Sequence, residues 1–250
     1  MFDFEAFFEL LKAVTVDCKD DGERFIVDDR LRVIENLLAE SAYEVVVRGS
    51  LAVVYAKRVL HNGDDVVLVS SHIDCLHGSS FCRDEGAFVR GTFDNSFTNA
   101  VLLWAMLEGL LPDNVVVAFT GNEEGDSIGA TQVVLAMGKR ECNISMAITL
   151  DVTNVGWDSG SCFTIENDAC IDMLLAHKII SSLDEYRGKF SFEHNAEPDE
   201  SWLYADYGIP SFSFCIPASG DLHDDGGVLL CKETISSYSL CLLKLANIFS

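Results

Sequence analysis

The sequence predicts an α/β fold, a three-layer αβα sandwich with a mixed, mainly parallel sheet between two layers of helices. Four short, continuously apolar segments have the composition of strands that are covered on both faces. Segments with helical periodicity lie between them, and strands that alternate with helices are typical of parallel sheets. The four strands are expected at residues 66–70, 114–120, 145–150 and 211–216.

The other elements follow from periodicity and from turn residues. In the N-terminal part a helix is expected over residues 4–14, and two short strands over residues 43–48 and 51–57 flank a turn at Gly49. A second helix is indicated by apolar residues three and four positions apart, at Val27, Leu31, Ile34 and Leu38. Later helices are expected at residues 95–111, 127–138, 169–183 and 234–249.

Length and spacing favour one domain. A chain of 250 residues with 49% hydrophobic content can bury one sizeable core. Between residues 72 and 94, and again between 151 and 223, the chain is too short to hold an inserted lid or dimerisation domain. We therefore expect a single domain over residues 1–250.

Charge and cysteine usage exclude several classes of function. Seventeen basic residues against 40 acidic ones give a net charge of −23, which repels nucleic acid and anionic membranes. The N-terminus lacks a basic region, and the apolar segments are too short to span a bilayer. Nine cysteines without a Cys-x-x-Cys pair are typical of core residues in a reducing compartment, so we expect a cytoplasmic protein.

Metal-capable side chains follow the predicted strands. The pairs His72 and Asp74, and Glu123 and Glu124, each come just after a strand, and Asp151 follows a third. Parallel strands bring such residues to one edge of the sheet. His223 follows the last strand, and Asp94 precedes a long apolar helix. Imidazole and carboxylate groups together suit Zn²⁺ or a similar divalent ion.

In order and context these motifs resemble the co-catalytic zinc exopeptidases, a superfamily that includes leucyl aminopeptidases and glutamate carboxypeptidases. The resemblance rests on five segments: Ser71-His72-Ile73-Asp74, Gly91-Thr92-Phe93-Asp94-Asn95, Glu123-Glu124 with Gly129-Ala130, Leu150-Asp151, and Leu222-His223-Asp224. The segment from Asp199 to Trp202, before Gly208-Ile209-Pro210, is also similar to that superfamily. The resemblance implies a phosphorylase/hydrolase-like core.

The resemblance also implies a role for each residue. Asp94 would bridge two ions, of which one is also bound by His72 and Asp151 and the other by Glu124 and His223. Two Zn²⁺ ions per chain are expected, with Co²⁺ or Mn²⁺ as alternatives. Glu123 would be the general base, and Asp74 would hydrogen-bond His72 and fix its tautomer. A cis peptide bond between Asp94 and Asn95 is a further expectation.

The expected substrate is a short peptide with a free N-terminus. The surroundings of the site, including Asp74, Glu123, Asp224 and Asp225, are acidic and suit an ammonium group. Branches that read a substrate carboxylate generally use arginine, and Arg83 and Arg90 are the main basic residues near these motifs. A carboxypeptidase or a deacylase acting on N-acyl amino acids remains an alternative, as do an inactive binding module and a one-metal acyltransferase.

Other polar residues near the motifs are given lesser roles. His77, Asp84 and Glu85 are expected in a solvated loop, and Cys75 is expected to be a buried thiol. Asp126 occupies a position that is commonly glycine in the superfamily, which puts substrate preference in doubt. No Gly-x-Ser-x-Gly motif surrounds Ser70 or Ser71, so a serine hydrolase is not supported.

Overall fold

The computed structural model describes residues 2–17, 19–20, 25–26, 28–166, 171–194 and 196–250. Four residues for which the sequence carries an expectation, Cys18, Val27, Ala169 and Cys170, lie outside these ranges. The helices are α1 Phe4–Val14, α2 Asp28–Leu38, α3 Ser96–Leu107, α4 Ile128–Lys139, α5 Met173–Ser182, α6 Glu200–Asp206 and α7 Lys232–Phe249. The strands are β1 Lys19–Asp20, β2 Phe25–Ile26, β3 Glu44–Arg48, β4 Ala52–Ala56, β5 Asp65–His72, β6 Cys82–Glu85, β7 Phe88–Gly91, β8 Val115–Thr120, β9 Asn143–Thr153, β10 Phe163–Glu166, β11 Phe190–Glu193, β12 Ser211–Pro217 and β13 Val228–Cys231.

In the described part of the chain the main sheet has eight strands, in the order β11-β10-β12-β9-β5-β8-β4-β3. Its centre is parallel, since β5 pairs in parallel with both β8 and β9, and β9 pairs in parallel with β12. Strands β3, β4 and β10 run antiparallel to neighbours. The mixed, mainly parallel sheet predicted from the sequence is confirmed.

The two faces of the sheet carry separate apolar cores. In β5, Val67 and Val69 face one core and Val66 and Leu68 face the other, because successive side chains of a strand point to opposite faces. Buried residues of α1, α2, α3, α5 and α7 belong to the first core, and those of α4 and α6 belong to the second. Helices therefore cover both faces, which confirms the three-layer sandwich.

The element bounds differ from the sequence prediction mainly at helix ends. The third helix ends at Leu107, and Gly109 then adopts a positive φ of 65°, so the chain turns before residue 111. Helix α5 begins at Met173, where Asp172 accepts hydrogen bonds from the main-chain nitrogens of Leu174 and Leu175. None of the described helices is both long and apolar enough to cross a membrane.

A second, smaller sheet corrects the expectation of a solvated loop between Asp74 and Asp94. Strands β6 and β7 form a hairpin, and β13 pairs with β7 so that Val228 lies opposite Gly91. Asp84 and Glu85 lie in β6, where Asp84 forms an ion pair with Lys232 at 2.7 Å. Asp84 and Glu85 are exposed to solvent, as expected, but they lie in a strand rather than in a loop. His77 is buried, with only 4% of its surface exposed. The hairpin was missed because β6 is largely polar and exposed.

Candidate metal centre

The central strands deliver the predicted site residues to one edge of the sheet. His72 is the last residue of β5, and Asp151 lies close to the end of the neighbouring β9. Glu123 and Glu124 follow β8, which pairs with β5 on its other side. His223 comes after β12. Because these strands are parallel and adjacent, their carboxyl ends converge on a common region.

Asp94 lies between the two histidines. Its Oδ1 atom is 3.1 Å from Nε2 of His72, and its Oδ2 atom is 3.4 Å from Nε2 of His223. Each carboxylate oxygen therefore faces a different imidazole. The Asp94 side chain is 8% exposed, so this carboxylate is nearly enclosed by the two groups that it joins.

Each histidine has a further carboxylate beside it. Asp151 Oδ1 lies 3.6 Å from Nε2 of His72, and Glu124 Oε2 lies 3.5 Å from Nε2 of His223. The ligand atoms of His72, Asp94 and Asp151 all lie within 4.8 Å of one another, and so do those of Asp94, Glu124 and His223. The structure thus brings all five residues into two adjoining triads with Asp94 in common.

Glu123 lies on the His72 side of this arrangement. Its Oε2 atom is 3.9 Å from Nε2 of His72, and the two residues also form a compact group with Glu124. The side chain of Glu123 is 14% exposed, whereas that of His72 is 2% exposed. Glu123 is therefore placed where it can reach both the triads and a molecule arriving from solvent.

The electrostatics of the centre fit cations. Burial, together with repulsion from nearby carboxylates, raises the pKa of Glu123 to about 9 and that of Glu124 to about 8. Burial likewise raises the pKa of Asp151 to about 6. Carboxyl groups this close to one another hold protons unless a cation neutralises them. This donor set therefore favours divalent ions, whose binding displaces such protons.

The pKa values of the two histidines are also raised, which favours their charged forms. Burial lowers the pKa of His72, but Glu123, Asp151, Asp74 and Asp94 outweigh it and the pKa is well above the usual value. Asp94 raises the pKa of His223 to about 9. Buried polar atoms without a hydrogen-bond partner include Asp94 Oδ1 and Glu124 Oε1. Buried carboxylate oxygens that lack a hydrogen-bond partner and lie next to two imidazoles are typical of residues that bind divalent ions.

Asp74 is fully buried and lies next to His72. Its Oδ1 atom lies 3.5 Å from Nδ1 of His72, the ring nitrogen that faces away from Asp94. Its Oδ2 atom accepts a hydrogen bond of 3.2 Å from the main-chain nitrogen of Glu124. Asp74 thus contacts one residue of each triad, His72 and Glu124. Its burial also corrects the expectation that Asp74 offers a carboxylate to a substrate ammonium group.

The start of α3 fixes the position of Asp94. The peptide bond between Asp94 and Asn95 is cis, as the resemblance predicted. Asn95 Nδ2 donates to the carbonyl of Leu150 at 2.7 Å, and Asn99 Nδ2 donates to the carbonyl of His72 at 2.9 Å. These two amides tie the N-terminal turn of α3 to the ends of β9 and β5.

Other charged residues named from the sequence, Arg83, Arg90 and Asp225, each have a contact partner in the structure. Arg90 Nε is 3.0 Å from Glu85, and the Arg83 guanidinium lies over the Phe81 ring, so both are engaged in the small sheet. Asp225 is exposed, and its Oδ1 atom accepts a hydrogen bond of 2.8 Å from the nitrogen of Gly78. This contact joins the loop after His72 to the loop that carries His223.

Two buried charged residues beside the centre were not identified as functional from the sequence. Arg30 of α2 is 1% exposed and donates from Nη1 to the carbonyl of Ile73 at 2.9 Å. Glu200 of α6 is fully buried and accepts a hydrogen bond of 2.9 Å from Ser70. Burial raises the pKa of Glu200 to about 7. For Arg30, the only indication in the sequence was that a charged residue lies on the apolar face of the predicted helix.

Cys75 is buried and carries a free thiol, as expected. Three further described cysteines, Cys142, Cys215 and Cys241, are also buried and free. The described cysteines with partial exposure are Cys82, Cys162 and Cys231. The prediction of core cysteines therefore holds for four of the described residues.

Solved structures with the same fold include several peptidases. The TET aminopeptidase of a Thaumarchaeota archaeon from marine sediment superimposes with a TM-score of 0.76 at 13% identity, covering 97% of this chain and 96% of that one. The TET1 peptidase of Pyrococcus horikoshii, which can assemble into a tetrahedron or a large octahedral shell, gives 0.70 at 14% identity, covering 96% and 99%.

A third similar structure is a dinuclear metal-binding peptidase of family M20 from Bacillus subtilis, with a TM-score of 0.63, 13% identity, and coverage of 97% of this chain and 98% of that one. No curated protein sequence matches the chain. The sequence model of peptidase family M28 matches residues 54–227, which include all five residues of the two triads as well as Asp74 and Glu123. The chain therefore belongs to peptidase family M28 and is a metallopeptidase.

Proposed function

We propose that this chain is a two-metal aminopeptidase that removes the N-terminal residue of short, unblocked peptides, with residues 1–250 acting as one catalytic unit. The observation that carries the proposal is the position of Asp94, whose two oxygens lie 3.1 Å from His72 and 3.4 Å from His223. A carboxylate shared between two ligand triads is the arrangement expected of a pair of ions rather than of a single structural ion.

In this proposal each triad holds one divalent ion. His72, Asp94 and Asp151 bind the first, and Asp94, Glu124 and His223 bind the second. Three protein ligands for each ion leave room for water or substrate, which is typical of catalytic sites. Zn²⁺ is the proposed metal because the donors are imidazole nitrogens and carboxylate oxygens, and Co²⁺ and Mn²⁺ accept the same donors.

The protein residues then divide the catalytic work. When bound, the two ions polarise the scissile carbonyl and make a water molecule more acidic. Glu123 accepts the proton of the attacking water at a side-chain oxygen and delivers it to the leaving amine. Asp74 holds the Nδ1 side of His72, which keeps Nε2 directed at Asp94. Glu123 is suited to this work because it is partly exposed yet adjacent to both triads.

The charge around the centre favours a free amino terminus. Arg90 pairs with Glu85, the Arg83 guanidinium stacks on the Phe81 ring, and Arg30 is buried against main-chain carbonyls, so each of the three already has a partner within the protein. Glu123 and the exposed pair Asp224 and Asp225 remain for a substrate ammonium group. The solved structures with this fold include aminopeptidases, which is in line with that preference.

Two measurements test the proposal together. Elemental analysis of the purified protein is expected to give up to two divalent ions per chain, and exhaustive chelation is expected to abolish hydrolysis. A dipeptide or tripeptide with a free amino group should be cleaved, its N-acetylated form should not, and its C-terminal amide should be cleaved nearly as well as the free acid. Activity that survives chelation would exclude a metallopeptidase. Cleavage of the acetylated peptide at the same rate would favour the carboxypeptidase or deacylase alternative.

A further inference from the structure

The guanidinium of Arg30 is one of the most deeply buried charged groups in the described part of the chain. Arg30 is 1% exposed although it lies on α2, near the N-terminus and far in sequence from the metal centre. Its Nη1 atom donates to the carbonyl of Ile73 at 2.9 Å, and its Nη2 atom donates to the carbonyl of Val16 at 3.3 Å. Burying a guanidinium is costly unless its charge and its donors are compensated, so this placement calls for a reason.

The residue that Arg30 binds lies between two residues of the centre. Ile73 separates His72 from Asp74 and is 1% exposed. Its main-chain nitrogen donates to the carbonyl of Thr120 at 2.7 Å, which ties it to the end of β8. Arg30 holds the carbonyl of the same residue from the other side. The peptide units that set the directions of the His72 and Asp74 side chains are thus fixed at both polar groups of Ile73.

The negative charge of the metal centre offers a second explanation for a buried cation at the position of Arg30. The centre contains five carboxylates, those of Asp74, Asp94, Glu123, Glu124 and Asp151. Two divalent ions would leave one negative charge in excess, and the guanidinium of Arg30 is permanently positive. Within the part of the chain that the structure describes, the hydrogen bonds of Arg30 go to main-chain carbonyls rather than to a carboxylate. Through the carbonyl of Ile73, this positive charge lies next to the segment that carries His72 and Asp74.

We propose that Arg30 is a positioning residue for the metal centre. By holding the carbonyl of Ile73, it directs His72 towards the first triad and keeps Asp74 behind it, and its charge offsets the excess of carboxylates. It acts through His72 and touches neither substrate nor ion. This inference rests on the proposed two-metal function, and it assigns to α2 a part in ion binding.

The test compares Arg30→Met, Arg30→Lys and a control, Arg32→Met. Methionine keeps much of the side-chain volume but loses the charge and the donors, whereas lysine keeps the charge and one donor group. Arg32 is on the same helix, but its side chain is 67% exposed and pairs with Asp29. Calorimetric titration of each chelated protein with Zn²⁺ gives the affinity of each binding step. Asp151→Asn serves as a reference, because it marks the step that belongs to the His72 triad.

Arg30→Met is expected to weaken the step marked by Asp151→Asn by about 10- to 100-fold, as is usual when the partner of a metal ligand is lost. The other step should change by no more than a few-fold. Arg30→Lys should recover part of the affinity, and Arg32→Met should match the wild type. In Arg30→Met, kcat should also fall by a larger factor than KM rises, because the loss concerns ion binding rather than peptide binding.

Other outcomes would overturn the inference. Wild-type affinity for both ions in Arg30→Met would show that Arg30 has no part in ion binding. Equal weakening of both steps, together with the same fall in the melting temperature of the chelated protein for Met and Lys, would show a purely structural role. If Arg30→Met does not fold, the affinities of Arg30→Lys in the two Zn²⁺ binding steps decide between these outcomes. Failure of the wild type to bind any divalent ion would refute the proposed function itself.

Discussion

Glu200 gives a quantitative prediction that is independent of activity. This carboxyl group is fully buried beneath the metal centre and accepts a hydrogen bond of 2.9 Å from Ser70, whose hydroxyl oxygen in turn accepts one of 3.0 Å from Tyr204. Burial raises its pKa from 4.5 to about 7. Replacing it by glutamine keeps the shape of the side chain and a carbonyl oxygen for Ser70, but removes the group that ionises.

The sign and size of the effect follow from linkage. Because the pKa of Glu200 is higher in the folded protein than in the unfolded chain, the unfolded chain loses this proton first as the pH rises. The contribution of Glu200 to the free energy of unfolding of the wild type therefore falls between about pH 4.5 and pH 7 and stays low above that. One pKa unit corresponds to about 1.4 kcal/mol, so the shift of Glu200 amounts to about 3 kcal/mol.

Urea unfolding of the chelated proteins, followed from pH 4.5 to pH 8, measures this difference. The stability of Glu200→Gln relative to wild type should rise by about 3 kcal/mol across that range. Glu185→Gln is the control, because Glu185 is exposed and its loss leaves the buried carboxyl in place. Stability curves of wild type and Glu200→Gln that run parallel at every pH would refute the reasoning.

Two further pairs of variants separate roles that adjacent or similar residues play. Glu123→Gln should keep both ions but lose turnover by about 100-fold or more, whereas Glu124→Gln should weaken ion binding, and equal loss of metal from both would refute these roles. In α4, Gly129→Ala should lower the free energy of unfolding by about 1–3 kcal/mol, because a Cβ atom there would lie 2.4 Å from the main-chain oxygen of Leu51. Gly138→Ala, with no heavy atom within 4 Å of the added Cβ, should raise it by up to about 1 kcal/mol, and urea unfolding of both proteins checks the contrast.

The sequence was most informative where local pattern and tertiary position coincide. Strands β5, β8 and β12 are buried over nearly their whole length because both faces are covered, and the apolar runs within them are visible without a structure. Residues that follow them, such as His72 and Glu123, must then meet at one edge of the sheet. This is why the set of residues at the candidate site could be named in advance.

The sequence was least informative where long-range contacts decide. Strand β6 is largely polar, and its hairpin with β7 is stabilised by pairing with β13, which lies far along the chain. His77 was expected in solvent because its neighbours are polar, yet it is 4% exposed. The contact between Arg30 and Ile73 joins residues 43 positions apart, and no periodicity or motif encodes it.

The small sheet also has a consequence for how the chain folds. Gly78 and Asp225, whose contact joins the two loops of the centre, are 147 residues apart, and the pairing of Gly91 with Val228 spans almost as far. Closing loops of this length costs conformational entropy before the contacts that offset it have formed. We therefore expect these pairings to form late. The triad that includes His223 then forms after the central strands have assembled. A partly folded chain would lack the complete proposed metal centre, and peptide cleavage would begin only after the segments near residues 78–91 and 225–228 have come together.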